Sequence, residues 1–195
     1  MRARAREREN FMRALSRGLS SAPRRPVIVV HGGAWAIPEL LTDRSVAGCE
    51  AAAAAGWEVL RRGGSALDAV ETATRILEDD PAFDAGHGAV LNERGDVELD
   101  AIVMDGKRCS PKTSPHRLLT SKRPPPTLSL PPSLNSGAVA AIGPVANPVS
   151  VARMVMQRTP HCLLVGEGAT RFAQQQGVPL LRSSDLVTAE AEPQQ

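Results

Sequence analysis

The chain has 195 residues, 42% hydrophobic, with no tyrosine and 3% aromatics; that length supports a real core, while so few rings exclude a base-stacking nucleic-acid platform. The net charge of +2 divides unevenly: residues 1–25 and 107–135 each carry +6, which leaves −10 on the remainder. The basic pI therefore comes from two add-ons to an acidic globular part, and neither a nucleic-acid nor a membrane partner is expected.

Residues 1–25 interleave eight arginines with Phe11, Met12, Leu15 and Leu19. They read as an N-terminal extension. The Arg- and Ser-rich pattern is similar to a mitochondrial transit peptide, against which Glu7 and Glu9 count. A cytoplasmic location is expected, with mitochondrial import as the second reading.

Pro26–Val30 is a β-branched run predicted as a buried strand, ending in His31-Gly32-Gly33, where the backbone must turn sharply. Thr42/Asp43 predicts a helix start, and Gly63-Gly64 its end near Arg62. Ser65 and Asp68 form a capping-box pattern for a second helix to about Asp79, with Leu67, Val70, Ala73/Thr74 and Leu77 as its apolar stripe. The stretch from Leu77 to Leu91 concentrates Gly86, Gly88, acids and apolar residues. It is predicted as an irregular loop leading into two strands, 89–91 and 97–104, around a turn at 92–95. Val97, Leu99 and Val103 alternate with Glu98 and Asp100, so one face is buried and the other polar.

Residues 107–135 hold seven prolines and no acid, a pattern read as a disordered insert after a Met104-Asp105-Gly106 corner. A small-residue strand follows at 137–142. Asn147-Pro148 caps a helix to about Arg158, 161–165 forms a strand, and 166–177 forms a helix. The tail from Leu181 has little pattern. No apolar run reaches the ~18 residues of a membrane span. Cys49, Cys109 and Cys162 are too scattered for a disulfide scaffold or zinc site, which fits a reducing compartment. Glu98, Asp100 and Asp105 read as a solvated face rather than a catalytic pair. His161 and Cys162 point to opposite sides of a strand and make no dyad.

Several motifs occur together in order: His31-Gly-Gly, Gly63-Gly-Ser-Ala-Leu-Asp-Ala-Val70, Leu77-Glu-Asp-Asp-Pro-Ala-Phe-Asp-Ala-Gly86, Met104-Asp-Gly106, Gly137-Ala-Val, Asn147-Pro148 and Thr159-Pro-His161. Over residues 26–106 and 136–188 the chain resembles the plant-type L-asparaginase/isoaspartyl peptidase family of N-terminal-nucleophile hydrolases. The resemblance implies an α/β fold, half of an αββα layered sandwich, formed by residues 26–188. The Pro-rich stretch 107–135 interrupts it, and a tail occupies 189–195. It also implies a self-cleaving precursor. The freed threonine is both nucleophile and base, and attacks the side-chain amide of asparagine or the β-linkage of an isoaspartyl dipeptide.

His31, Gly32 and Gly33 match the family's activation loop. Leu77, Glu78, Asp80, Phe83, Ala85 and His87 match a loop whose main-chain carbonyls hold sodium in relatives, so a structural sodium ion is expected and no other cofactor is required. Implied partners are a small amide or dipeptide substrate in the complete enzyme, and a β subunit or further copies of the chain.

The departures are specific. No Gly-Thr pair occurs anywhere in the chain, so no catalytic residue is assigned; only the α half is matched, and the match stops short of the self-cleavage linker. Asp84 stands where the family carries an asparagine beside the nucleophile. Inactivity of this chain by itself is the expectation. The alternative is a non-catalytic, truncated form that pairs with a full-length relative.

Overall fold

A computed structural model describes residues 25–34, 37, 39–109 and 133–188. The residues 1–24 of the basic extension, 110–132 of the Pro-rich stretch and the tail 189–195 lie outside the described residues. Helix α1 spans Glu39–Arg61 and α2 Ala66–Asp79. Strands β1 (Leu99–Cys109) and β2 (Ser133–Ile142) follow, then α3 (Pro148–Arg158), β3 (Leu163–Val165), α4 (Gly166–Gln175) and α5 (Ser183–Leu186). The sheet order is β1-β2-β3, antiparallel between the first two and parallel between the last two.

Local chemistry explains most element boundaries. α1 begins three residues before the Thr42 expected from capping. Its first-turn Glu39 and last-turn Arg61 both complement the helix dipole. It ends as expected at Gly63 (φ 83°), where Gly63 N–H donates to Leu60 O and Gly64 N–H to Val59 O. α2 opens on a complete capping box: Asp68 N–H donates to Ser65 Oγ at 3.1 Å and Ser65 N–H to Asp68 Oδ2 at 3.2 Å. The buried stripe of α2 is Ala69, Ala73 and Glu78. Val70, expected inside, is 42% exposed: the helix is turned so that its small residues meet α1. At Gly56 a Cβ would lie 2.8 Å from Ala69 O, so the two backbones approach closely there.

The core lies between one face of the sheet and the helices α3 and α4. Val103, Val139, Ile142, Val151, Val155 and Met156 are all at most 5% exposed. A Cβ on Gly137 would fall 2.3 Å from Ala152 O and from Met156 N, so β2 touches the α3 backbone at a residue that must lack a side chain. The opposite sheet face carries exposed Ile102 and Met104.

Four expectations are corrected. Pro26–Val30 is not a strand; it has no regular secondary structure, with Val27 and Val29 exposed, because no described strand pairs with it. Residues 89–91 form no strand either. The turn at 92–95 does form, with Gly95 N–H donating to Asn92 O, but Asn92 Oδ1 also takes the Arg94 and Asp96 N–H groups, which closes a local turn instead of a ladder. The strand after Met104 does not stop at Gly106; it passes a bulge after Asp105 and pairs out to Cys109 opposite Ser133. The tail from Leu181 contains α5, whose Leu186 is fully buried.

Candidate functional site

Phe83 is the pivot of the site. Its ring lies between two glycines from different elements. A Cβ on Gly32 would sit 2.8 Å from Phe83 Cε1, and one on Gly48 of α1 would sit 2.5 Å from Phe83 Cε2. Neither position has room for a side chain, so Phe83 docks the loop after α2 against both α1 and the His31-Gly-Gly loop.

The loop itself is held by its own backbone. Phe83 N–H donates to Asp80 O, His87 N–H to Glu78 O at 2.7 Å, and Gly88 N–H to Leu186 O at 2.7 Å. Asp80 Oδ1 takes the Ala82 N–H at 2.9 Å. Gly86 (φ 58°) and Gly88 (φ 101°) are left-handed, and both sit where a Cβ would strike carbonyl oxygens at 2.5–2.9 Å; only glycine satisfies both demands. α5, missed in the sequence, supplies the far anchor through Leu186. Its signal was slight: one leucine in a polar stretch.

The result is a cavity of about 780 Å³. Its wall joins His31, Gly32 and Gly33 to Leu77, Glu78, Phe83, Asp84 and Ala85, two segments read separately in the sequence. Asp80 and His87 are not on that wall. Asp100 and Ile102 of β1 close another side. His31 Nδ1 accepts from Gly33 N–H at 3.1 Å, which curls that loop on itself. Asp84 Oδ1 accepts from Val90 N–H at 3.0 Å.

Glu78 is the unusual wall residue. It is 3% exposed; Oε1 accepts from Val149 N–H in the first turn of α3 at 3.0 Å, and Oε2 is buried with no hydrogen-bond partner. Burial pushes its carboxyl from 4.5 up to about 7, against the opposing Val149 amide. The neighbouring Asn147 side chain also favours the charged form of Glu78; it gives no side-chain cap to α3, and it donates to Asp79 Oδ1 and accepts from Arg75.

The sequence family described as asparaginase matches residues 24–111 and 132–194. The chain belongs to the asparaginase family. This asparaginase-family chain is 48% identical over 164 residues to an isoaspartyl peptidase/L-asparaginase of Xenopus laevis, covering 84% of this chain and 45% of the relative. The human protein of the same name is 44% identical, with the same coverage. A plant-type L-asparaginase of Pyrococcus horikoshii is 45% identical over 153 residues, covering 78% of this chain and 42% of the relative. The chain thus spans less than half the length of these relatives. Family membership places it in the N-terminal-nucleophile hydrolase fold, consistent with the mixed α/β architecture around a three-stranded sheet.

The loop carbonyls are hard oxygen donors of the type sodium takes. Those of Leu77, Glu78 and Asp80 each already accept one backbone N–H, and a carbonyl has a second lone pair. Each of these three carbonyls thus keeps a lone pair beyond its backbone hydrogen bond, and among the described residues no group of three or more His, Cys, Asp or Glu side chains forms a metal site.

Proposed function

We propose that this chain is the α half of an L-asparaginase/isoaspartyl peptidase, one half of an αββα sandwich, and that it is inactive by itself. The observation that carries the reading is the shared cavity. The His31–Gly33 loop and the loop at Leu77–Ala85 meet on one wall, in a chain that holds no Gly-Thr pair. In the complete enzyme a threonine hydroxyl from the β half gives its proton to its own α-amino group and attacks the substrate amide carbon. Ammonia leaves from asparagine, or the amine from an isoaspartyl dipeptide, and water then hydrolyses the threonine ester to release aspartate.

The 77–88 loop buttresses the nucleophile, and its carbonyls hold a structural sodium ion. Asp84 places a carboxylate on the cavity wall where the family has an amide. Near the threonine's amino group that charge stabilises the ammonium form and raises its pKa. In a complex with a β half, Asp84→Asn then shifts the acid limb of the pH–rate profile downwards.

The test is ammonia release from L-asparagine and cleavage of a β-aspartyl dipeptide. The purified chain is assayed alone and after mixing with the β half of a relative. No turnover alone and turnover on mixing is the expected pair; turnover by the chain alone overturns the reading. A second, non-catalytic reading, as a partner of a full-length relative, is favoured by one feature: Ile102, Met104, Leu163 and Val165 are 48–67% exposed on the sheet, an apolar surface that favours association. Co-purification with a relative, without gain of activity, distinguishes it.

A further inference from the structure

The Met104-Asp105-Gly106 corner takes no part in the proposed activity, yet it holds the one Asp-Gly pair in the chain, which contains no Asn-Gly pair. An aspartyl side chain before glycine is open to attack by the following amide nitrogen, because glycine has no Cβ to shield it. A regular strand suppresses that attack. Ring closure needs the Cα–C bond of the aspartate turned well away from its extended setting, and the ladder resists the turn.

β1 departs from a regular strand at this pair. Asp105 pairs with Asn135, but the next paired residue of β1 is Arg108, opposite Leu134. Gly106 and Lys107 therefore face no residue of β2, and the bulge begins at the amide nitrogen concerned. Gly106 is exposed, and a Cβ built on it would meet nothing within 4 Å, so no neighbour packs over the turn. The facing strand supplies a contrast. Asn135-Ser136 is also prone to ring closure, yet Asn135 and Ser136 pair with Asp105 and Met104 without a break. Gly137, which follows them, is closed in by Ala152 O, 2.3 Å from where its Cβ would lie.

We propose that Asp105-Gly106 is a site of spontaneous isomerisation, where the chain acquires an isoaspartyl linkage in its own backbone. The Gly106 nitrogen attacks Asp105 Cγ and loses its proton, and a carboxyl oxygen leaves as water, which closes a succinimide ring. Water then adds to one of the two ring carbonyls. Breaking the bond from Gly106 N to the Asp105 main-chain carbonyl carbon leaves the chain running through Cβ and Cγ; breaking the other restores aspartate. The water released on closure is returned on opening, so no reagent is consumed and the mass is unchanged. The isoaspartyl form adds one main-chain atom to β1 ahead of the Arg108 and Cys109 pairings, which must slip or open.

The full chain, aged at neutral pH and body temperature, is read by transfer of a labelled methyl group from a protein isoaspartate methyltransferase. Electron-transfer fragmentation of the tryptic peptide 95–107 places the label, with Asp96 and Asp100 in the same peptide as internal controls. Label growing in at Asp105 alone is expected, at a rate within several-fold of that of the synthetic peptide 95–107. Gly106→Ala is expected to slow it several-fold, and Asp105→Glu to abolish it. The comparison of folded chain with free peptide needs no variant to fold. A folded chain that stays unlabelled while the peptide is labelled overturns the proposal, since β1 then protects the pair as a regular ladder would. So does label at Asn135 in place of Asp105, recognised by the mass gained on deamidation.

Discussion

Asp100 Oδ1 accepts the backbone N–H of Ala141 at 2.7 Å, and Ala141, at φ 46°, is the one non-glycine residue with positive φ among the described residues. The pair sits beside the bulge where Leu99 and Ala101 change register against β2, and Asp100 is also a cavity wall residue. Left-handed alanine is disfavoured by roughly 1 kcal/mol, so the side chain of one strand holds a strained residue of the next. Ala141→Gly relieves the strain and, net of glycine's larger unfolded-state entropy, is expected to leave stability within about 0.5 kcal/mol. Asp100→Ala removes the bond and costs about 1 kcal/mol, while Asp100→Asn keeps an acceptor and costs less. Urea denaturation midpoints rank the three; equal loss for Ala and Asn at position 100 contradicts the hydrogen-bond account.

The two glycines around Phe83 reverse an ordinary rule. Gly→Ala inside a helix usually adds about 1 kcal/mol of stability. Gly48 lies in α1, yet a Cβ there meets Phe83 Cε2 at 2.5 Å and Asp80 Oδ2 at 2.8 Å. Gly48→Ala is expected to destabilise by roughly 1–3 kcal/mol through overpacking. Adding Phe83→Leu, which makes room, recovers part of that loss in a double-mutant cycle. Additive losses show that the two positions do not meet.

Much of this arrangement was legible as parts. The capping box at Ser65, the glycine stop at Gly63 and the alternation of Val97, Leu99 and Val103 are local signals, and each local interaction formed. The motif order exposed the family and both loops of the cavity. Hidden were the relationships that need a third dimension. The close approach of Gly32 and Gly48 to one ring is set by packing across about fifty residues of chain, not by spacing. Pro26–Val30 carries strand propensity, but propensity supplies no neighbour to pair with. Glu78 reads as one acid among several; only the α3 start placed over it makes it buried.

Arg153 ties α3 to α2. It bonds Asp68 Oδ1 at 2.5 Å and also Glu71, and Ser150 Oγ donates to Glu71 at 2.6 Å. The Arg153 and Glu71 side chains are only 20% and 18% exposed. Arg153→Met leaves Glu71 half-buried without its cation and is expected to cost about 2–3 kcal/mol, below the cost of breaking a fully buried pair. Asp68, 45% exposed in its side chain, contributes less to the ion pair, and its substitution acts mainly through the cap, at about 1 kcal/mol. Thermal melts of the two single variants and the double variant separate these effects. Equal losses at Arg153 and Asp68 contradict the asymmetry.

Glu78 sets the pH dependence. Its folded-state carboxyl titrates at about 7 against an ordinary 4.5. Between those values the folded chain holds a proton that the unfolded chain has released, so stability falls as pH rises through the interval and levels off above about 7. A shift of that size corresponds to roughly 3 kcal/mol at most. Glu78→Gln keeps an acceptor for the Val149 N–H and cannot ionise. The variant is expected to match the unaltered chain near pH 4.5 and to exceed it at pH 8. Denaturant unfolding at a series of pH values measures both curves, and parallel curves across the interval would falsify the assignment to Glu78.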